Sequence, residues 1–429
     1  MQSFHLAQSR GDGRKMAPLL KVRKEIPVKM KPIRVCAVAG VAVACVMALL
    51  AVQPTQAQTY KEKVLYSFCS QSNCTDGANP DAGVIQDAKG NLYGTTQNRG
   101  DSDSNCDYGG GCGVVFKLSK AGKETVLYTF TGPPDGSEPV AGVIQDAKGN
   151  LYGTTDYGGA SGNYGTVFEV SKTGKETVLY SFPGGVYGAY PSGVIQDSKG
   201  NLYGTTYVDG AYYAGTVFKL SKAGKETVLY NFCARSGCAD GEQPWSGVIR
   251  DALGNFYGTT TKGGASGAGT VFKLSKTGKE TVLYSFTGGT DGANPYAGLI
   301  LDAKGNLYGT TFYGGAYGAG TAFKLSKTGK ETVLYSFTGG TDGANPYAGL
   351  ILDAKGNLYG TTFYGGAYGA GTAFKLSNTG KETVLYSFTG GTDGKNPYAG
   401  LIQDAKGNLY GTTFYGGAYG SGTVFEVMP

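Results

Sequence analysis

Hydrophobic and polar residues alternate in short stretches along residues 61–427, and each stretch ends near a glycine-containing turn. In the fifth copy of this pattern the stretches are 298–302 (GLILD), 306–311 (NLYGTT), 320–326 (GTAFKLS) and 330–337 (KETVLYSF). Alternation with a period of two is typical of a β-strand with one buried face, and no helical period is present. The connections AKGN and KTG suit tight antiparallel hairpins. The pattern therefore predicts units of four antiparallel strands, here named A to D in chain order.

The unit recurs with a period of roughly 50 residues, which is typical of a solenoid or a propeller. The tripeptide Val-Leu-Tyr near the end of strand D begins at residues 64, 126, 178, 228, 282, 333 and 384. Residues 275–325 and 326–376 are identical at every position, so one unit arose by duplication of its neighbour. Four-stranded units arranged around an axis would be propeller blades, and an open solenoid is the alternative.

The two ends of the repeat region complete one unit between them. The last copy has strands A, B and C within residues 400–427 but no strand D. Residues 61–68 (KEKVLYSF) form a strand D that no strand A, B or C precedes. If residues 61–68 complete the last unit, the ring closes without an open sheet edge. We therefore predict an all-β fold, a single seven-bladed β-propeller over residues 58–429.

Residues 1–57 have the layout of a secretory signal, with basic residues, an apolar run at 35–52 and a cleavage site after Ala57. Translation from Met30 would give a signal of ordinary length. An uncleaved membrane anchor is the alternative, because the 18 apolar residues are long enough to span a bilayer. Residues 58–429 carry 29 basic and 30 acidic side chains, so the formal charge of +6 belongs to the leader. We expect an exported protein, extracellular, at the cell surface or periplasmic, with no membrane span after cleavage.

A six-residue motif marks strand B of every unit. It begins at Asn91, Asn150, Asn201, Asn255 (as NFYGTT), Asn306, Asn357 and Asn408, and a Gly pair and GTVFKL or a variant follow in most units. In these motifs the chain resembles the GloVer tandem-repeat ("choice-of-anchor") family of exported bacterial repeat proteins. The resemblance implies export and tandem repeats, and it brings no established reaction. The final residues FEVMP do not resemble the C-terminal anchors of that family, so surface anchoring is not expected.

The residue types present restrict the possible chemistry. The single histidine, His5, lies in the leader, so residues 58–429 lack an imidazole for general-base catalysis, a Ser-His-Asp triad or a metal site. We expect no cofactor and no metal site. Six cysteines form closely spaced pairs that predict disulfides in an exported protein, with zinc sites as the alternative: Cys69 with Cys74, Cys106 with Cys112, and Cys233 with Cys238.

One face of the predicted propeller carries the candidate binding residues, because the D-to-A and B-to-C connections emerge there. The D-to-A connections contain Asp-Gly-x-x-Pro at Asp76, Asp135, Asp240, Asp291, Asp342 and Asp393. The other candidates are Trp245 and the B-to-C tyrosines Tyr313, Tyr317, Tyr364, Tyr368, Tyr415 and Tyr419. Aromatic rings beside carboxylates suit sugar recognition. Loop architecture is the alternative, because Asp-Gly starts turns and tyrosines pack between blades.

Identical loops in the fifth and sixth units suit repeated weak contacts better than a single catalytic centre. Residues that occur once lie in the first four units, at Asp101, Asp103, Asp107, Arg235, Glu242, Trp245 and Arg250. We therefore expect a non-enzymatic, monomeric binding or surface scaffold for extracellular glycan or protein. The alternative is a secreted carbohydrate-active enzyme, a glycosidase or lyase, that uses carboxylates on the candidate binding face of the first four units, such as Asp240 or Glu242; any single site would lie there. Nucleic acid is not an expected partner, because residues 58–429 lack the basic surface that phosphates require.

Overall fold

The computed structural model describes residues 60–100, 106 and 110–429, and this part of the chain contains β-strands and short 3-10 turns but no α-helix. The predicted leader, residues 1–57, lies outside the described residues. So do three of the unique acidic residues named above, Asp101, Asp103 and Asp107.

The strands are numbered β1 to β30 in chain order, and each blade contains four of them. Blade 1 has β2 (Ile85–Gln86), β3 (Leu92–Thr96), β4 (Val114–Leu118) and β5 (Glu124–Thr129). Blade 2 has β7 (Ile144–Gln145), β8 (Leu151–Thr155), β10 (Thr166–Val170) and β11 (Glu176–Ser181). Blade 3 has β12 (Ala189–Gln196), β13 (Leu202–Val208), β14 (Thr216–Leu220) and β15 (Glu226–Asn231). Blade 4 has β16 (Ile249–Arg250), β17 (Phe256–Thr260), β18 (Thr270–Leu274) and β19 (Glu280–Ser285).

Blades 5 to 7 repeat this plan. Blade 5 has β20 (Ile300–Leu301), β21 (Leu307–Thr311), β22 (Thr321–Leu325) and β23 (Glu331–Ser336). Blade 6 has β24 (Ile351–Leu352), β25 (Leu358–Thr362), β26 (Thr372–Leu376) and β27 (Glu382–Ser387). Blade 7 has β28 (Ile402–Gln403), β29 (Leu409–Thr413), β30 (Thr423–Met428) and β1 (Lys61–Ser67). The loops add the pair β6 (Gly136–Ser137) and β9 (Tyr157–Gly158), and the 3-10 turns Ser72–Cys74, Gly185–Tyr187 and Ser236–Cys238.

The predicted seven-bladed propeller is confirmed, including the way it closes. Every blade is an antiparallel sheet in the order A-B-C-D. In blade 7 the N-terminal strand β1 provides strand D, with Lys61 opposite Met428 and Ser67 opposite Thr423. The first strand of the propeller therefore covers the free edge that the last strand would otherwise expose.

Two features of the blades differ from the sequence-based expectation. The predicted strand A of blade 5, residues 298–302, pairs regularly only over Ile300–Leu301, because the residues just before it approach the neighbouring blade instead. The second feature is a β-bulge between strands C and D of every blade. In blade 2 the bulge leaves Leu179 between the paired residues Val178 and Tyr180. Bulges increase strand twist, which suits the curvature of a blade.

Adjacent blades are joined by a hydrogen bond that repeats around the ring. In six blades the first Thr of the GTT motif donates its hydroxyl proton to a carbonyl at the start of strand A in the next blade, at 2.8 to 3.2 Å. In the remaining blade, Thr154 instead accepts from the backbone N–H of Gly193. The bond from Thr412 to the Ala82 carbonyl joins blade 7 to blade 1.

The hydrophobic core lies between blades, not within them. The last residue of each strand D segment is a fully buried Phe whose ring meets a strand C Phe of the next blade edge-on, at centroid distances of 4.9 to 5.2 Å. Phe337 and Phe374 form the pair between blades 5 and 6. The Phe374 ring lies across Gly360 of strand B, where an added Cβ would sit 2.8 Å from ring atoms. The Gly of the YGTT motif is therefore needed to seat the Phe.

Strand D also carries a half-buried or buried glutamate in every blade. Burial raises the pKa of each of these seven carboxyls to about 7, and one oxygen of each has no hydrogen-bond partner: Glu62, Glu124, Glu176, Glu226, Glu280, Glu331 and Glu382. In most of these blades the pKa of the glutamate is raised further by the negative charge of an Asp in the loop that precedes strand A of the same blade. For Glu331 that residue is Asp291.

Removal of residues 58–70 should abolish the cooperative folding of the whole propeller. The deletion takes away β1 and Phe68, which exposes the edge of β30 and the Phe116 ring in blade 1. We expect a broad thermal transition at lower temperature, measured by circular dichroism, together with aggregation. Deletion of residues 1–57 is the matched control and should leave the transition unchanged. A Δ58–70 protein with the full thermal stability would contradict the closure of the ring by β1.

Stability should fall as the pH rises from about 5 to about 8. A carboxyl with a raised pKa keeps its proton in the folded state at pH values where the unfolded chain has lost it, so the lower pH favours folding. The seven strand D glutamates, with a pKa of about 7 against an ordinary value of 4.5, place this loss of stability between those two values. We expect the calorimetric midpoint to be several degrees higher at pH 5 than at pH 8.

The double variant Glu331→Gln/Glu382→Gln tests the source of this dependence. Two of the carboxyls with a raised pKa no longer titrate, so the difference between the midpoints at the two pH values should shrink measurably. A midpoint that rises with pH in the wild type, or an unchanged difference in the variant, would assign the dependence to other groups.

Candidate functional site

The D-to-A and B-to-C loops pair with each other and form one face of the propeller, the loop face. In blade 5, Ala293 and Tyr313 exchange backbone hydrogen bonds of 2.8 and 3.1 Å, and the same bridge recurs in other blades. The three predicted disulfides lie on these loops and are confirmed: Cys69–Cys74, Cys106–Cys112 and Cys233–Cys238. The D-to-A and B-to-C loops therefore lie together on one face, as the sequence predicts.

The six Asp-Gly aspartates point into the loops that carry them. Each carboxylate accepts a hydrogen bond of 2.7 to 2.9 Å from a strand D Tyr hydroxyl: Asp76, Asp135, Asp240, Asp291, Asp342 and Asp393. Each also accepts a loop backbone N–H at 2.7 to 3.0 Å. Burial raises the pKa of Asp291, but the hydrogen bonds from Thr287 and Tyr284 outweigh that effect and lower it. These contacts are those of loop architecture, and a ligand-binding role for these residues stays a prediction.

The six B-to-C tyrosines lie on the loop face and are about half to two-thirds exposed: Tyr313, Tyr317, Tyr364, Tyr368, Tyr415 and Tyr419. In blade 5 the ring of Tyr313 packs edge-on against Phe312, at a centroid distance of 4.6 Å. Tyr317, at the loop tip, is 65% exposed. Blades 6 and 7 repeat this arrangement, so the loop face presents three equivalent pairs of rings.

A cavity of about 560 Å³, here named the axial cavity, is lined by residues from all seven blades and therefore lies on the propeller axis. Seven of its lining residues stand at two recurrent positions of the blades: Asp81, Val140, Trp245, Tyr347 and Tyr398 at one, and Asp156 and Tyr207 at the other. One position follows the proline of the D-to-A loop and holds Asp81, Val140, Trp245, Tyr296, Tyr347 and Tyr398 in six blades. The other follows the GTT motif and holds Gln97, Asp156, Tyr207, Thr261, Phe312, Phe363 and Phe414. A second cavity, of about 620 Å³, shares Asp81, Asp156, Trp245 and Tyr398 with it and reaches the B-to-C loops.

Aromatic rings form a continuous wall on one side of the axial cavity. Trp245 meets Tyr207 edge-on at 4.8 Å and Tyr347 at 6.4 Å. Tyr347 in turn stacks on Tyr296 at 5.0 Å and packs against Tyr398 at 4.2 Å. The predicted candidate Trp245 is therefore part of this wall, in contact with tyrosines from blades 3, 5 and 6.

Blades 1 and 2 contribute two carboxyl groups to the axial cavity. Burial raises the pKa of Asp81 to about 7, and its Oδ1 atom is buried with no hydrogen-bond partner. Burial also raises the pKa of Asp156 well above its usual range, and the charges of Asp81 and Glu138 raise it further. Among the residues that line this cavity none is Lys, Arg or His, so no basic side chain of the wall compensates these two acids.

The sequence-based search found Trp245 but missed Asp81, Asp156, Tyr347 and Tyr398. One feature of the sequence could have indicated cavity residues such as Asp81 and Tyr347. The residue after the loop proline differs between blades, whereas the proline and a nearby glycine are present in every blade. The axial cavity also draws on blades 6 and 7, whereas a single site was expected within blades 1 to 4.

The other described residues that occur once in the repeats, Arg235, Arg250 and Glu242, have structural partners. Arg235 forms an ion pair with Glu280 at 2.6 Å, and Arg250 lies over the Tyr203 and Phe256 rings. Glu242 pairs through its backbone with Lys262. Asp240, one of the carboxylates of the enzyme alternative, is fully buried.

Neither a metal cluster nor a membrane span is found in the part of the chain that the structure describes. No group of three or more Asp, Glu, His or Cys side chains is arranged there to hold an ion. No helix among residues 60–100, 106 and 110–429 is long and apolar enough to cross a bilayer.

Replacement of a loop aspartate should cost stability, by the same amount in the two identical blades. Asp291→Ala and Asp342→Ala each leave a Tyr hydroxyl and a loop N–H without their acceptor, at a cost of about 1–3 kcal/mol. Chemical denaturation should give values for the two variants that agree within ~0.5 kcal/mol. Ligand binding that is lost in either variant without loss of stability would instead give these residues a direct binding role.

Comparison with known proteins identifies the family and the fold. The sequence profile of the Gloeobacter/Verrucomicrobia repeat matches residues 51–239 and 235–425. No curated protein matches the chain in sequence. Among solved structures, the extracellular domain of a putative one-component system from B. thetaiotaomicron is similar over 86% of this chain, with 13% identity and a TM-score of 0.52. The chain spans only 40% of the length of that structure.

Two further solved structures are similar to this chain with lower TM-scores. A putative 6-phosphogluconolactonase from Bacteroides uniformis is 14% identical over 72% of this chain and 84% of its own, with a TM-score of 0.47. A gluconolactonase from Xanthomonas campestris is 14% identical over 66% of this chain and 82% of its own, with a TM-score of 0.41. Identities this low carry no function across. Because the repeat profile covers most of residues 51–425, the chain belongs to the Gloeobacter/Verrucomicrobia repeat family.

Proposed function

We propose that this protein is an exported, non-enzymatic binding protein that holds an extracellular ligand of the glycan class in its axial cavity. The observation that carries the proposal is the wall of Trp245, Tyr347 and Tyr398 facing a cavity of about 560 Å³. Ligand sites in proteins are typically concave, of a few hundred Å³, and lined by aromatic side chains with a few polar groups. A cavity of this kind is large enough for one or two sugar rings.

Export is supported by the three disulfides, because such bonds persist in oxidising compartments and are rare in the cytosol. The signal-like leader at residues 1–57 agrees with this. Together these features favour a ligand found outside the cytoplasm, as a glycan of the cell surface or of the surrounding medium would be.

The loop face outside the cavity adds a second surface for contact. The tyrosine pairs of blades 5 to 7 repeat with the blade period, so a polymeric ligand would meet equivalent rings three times. Tyrosine supplies a large contact area with little conformational entropy to lose. We assign these tyrosines a supporting role around the cavity.

A specific observation favours one second candidate, a carbohydrate-active enzyme. Burial raises the pKa of Asp81 and Asp156, and the charges of Asp81 and Glu138 raise the pKa of Asp156 further, as a general acid requires. Under this alternative, release of reducing ends from an oligosaccharide would be lost in Asp156→Asn. Binding of oligosaccharides without any turnover by the wild type would favour the non-enzymatic function.

Glycan-array screening followed by calorimetry tests the binding function. We expect oligosaccharide binding that Trp245→Ala weakens at least about tenfold, because a central aromatic ring commonly contributes most of the affinity of a site. Trp245→Tyr is the control for folding, since blades 5, 6 and 7 carry Tyr at this position. The triple variant Tyr317→Ala/Tyr368→Ala/Tyr419→Ala should reduce affinity less.

The comparison of these variants separates the two surfaces. Binding that survives Trp245→Ala but disappears in the triple variant would move the site to the exposed tyrosines. Absence of binding to any glycan on the array would contradict the proposed ligand class.

A further inference from the structure

We propose that the axial cavity selects a ligand that carries a positive charge, either a protonated amine, as in an amino sugar, or a quaternary ammonium group. This inference rests on the proposed function, because it names the chemistry of the ligand at that same cavity.

The first argument is the uncompensated negative charge of the cavity. Asp81 and Asp156 both line it, and its lining residues include no Lys, Arg or His. The Oδ1 atom of Asp81 is buried and accepts no hydrogen bond from residues 60–100, 106 and 110–429. A buried carboxylate without a partner is costly, so an incoming cation would supply the missing partner.

The second argument is that the fold does not require these acids. At the position of Asp81 other blades carry Val140, Trp245 or a Tyr, and at the position of Asp156 they carry Gln, Tyr, Thr or Phe. The hydrogen bonds and Phe pairs that join the blades repeat in all seven, whichever residue stands at these two positions. The cost of burying the acids is therefore not offset by any structural contact that recurs around the ring.

The third argument is the aromatic wall of the same cavity. Trp and Tyr ring faces attract a cation through the ring quadrupole, and a site that combines such rings with a carboxylate is well suited to an ammonium group. Asp81 lies close enough to Tyr347 and Tyr398 for its charge to raise the pKa of both hydroxyls, after the larger effect of their burial. Rings and carboxylate therefore surround the same space.

The charged groups around this space leave it acidic overall. Glu138 accepts a hydrogen bond from Gln97 at 3.1 Å and raises the pKa of Asp156 through its charge. Lys395 is exposed and lines only the adjoining cavity, at the loop face. The remaining titratable groups that line the axial cavity are the hydroxyls of Tyr157, Tyr190, Tyr207, Tyr347 and Tyr398.

Calorimetric titration with two matched pairs of small molecules tests the inference on the chain from residue 58 to 429. The pairs are choline with its uncharged carbon isostere 3,3-dimethylbutan-1-ol, and glucosamine with N-acetylglucosamine. In at least one pair we expect the cationic member to bind at least about tenfold more tightly, at pH 8 for choline and at pH 7, where its amine is still protonated, for glucosamine. Equal affinities within both pairs, or no binding of any of the four, would overturn the inference.

The double variant Asp81→Asn/Asp156→Asn assigns the selectivity to the two carboxyls. It should lower the affinity for the cationic member to about that of the neutral member of the pair. Choline keeps its charge at every pH, so its affinity for the wild type should rise between pH 5 and pH 8 as the acids ionise, with release of protons to the buffer. A preference that persists in the double variant would contradict the inference.

The outcomes also separate this inference from the proposed function. Neutral glycans that bind in a Trp245-dependent manner, with no preference for cations, would leave the proposed function intact and refute the charge selectivity alone. Selectivity for cations together with no binding to any glycan on the array would refute the proposed glycan ligand and leave the charge selectivity intact.

Discussion

The structure depends on the packing of hydrophobic side chains of each blade against the next blade. The terminal Phe of each strand D packs on a strand C Phe of the following blade, and the Thr hydroxyl of each GTT motif reaches the neighbouring strand A. No blade contains a complete core of its own, since the seven buried clusters each combine residues of two adjacent blades. Closure of the ring is consequently a condition for the stability of every blade.

Much of this could be predicted from the sequence because the repeat reports the architecture directly. The number of blades follows from the recurring Val-Leu-Tyr, and closure follows from a strand D without partners at residues 61–68. The disulfide pairs follow from their short spacing. The β-bulge at Leu179 and the short strand A escaped prediction, because each depends on contacts with strands and blades that the local pattern does not reveal.

The candidate site was harder to predict for a physical reason. Asp-Gly and the exposed loop tyrosines are conspicuous in the sequence, yet the loop aspartates hold strand D tyrosines in place. The residues of the axial cavity come from all seven blades, and nothing within a single blade distinguishes Asp81 or Tyr347 as cavity residues. Only the radial arrangement of the blades brings them to one point. Trp245 was found because it is the only tryptophan of the chain.

The contacts between blades are the same around the ring, so the residues at the axial positions can vary without changing those contacts. The residue after the loop proline lines the axial cavity in most blades and takes no part in the Phe pairs or the Thr hydrogen bonds between blades. Blades with Asp, Val, Trp or Tyr at this position all form the same kind of four-stranded sheet. Duplication of a blade, as in residues 275–376, therefore copies the scaffold together with one residue of the cavity wall, which a later substitution can change while the contacts between blades are kept. Relatives that share this framework can therefore differ in the ligand they bind through substitutions at a few of these positions. The same positions can be varied together to engineer new binding pockets.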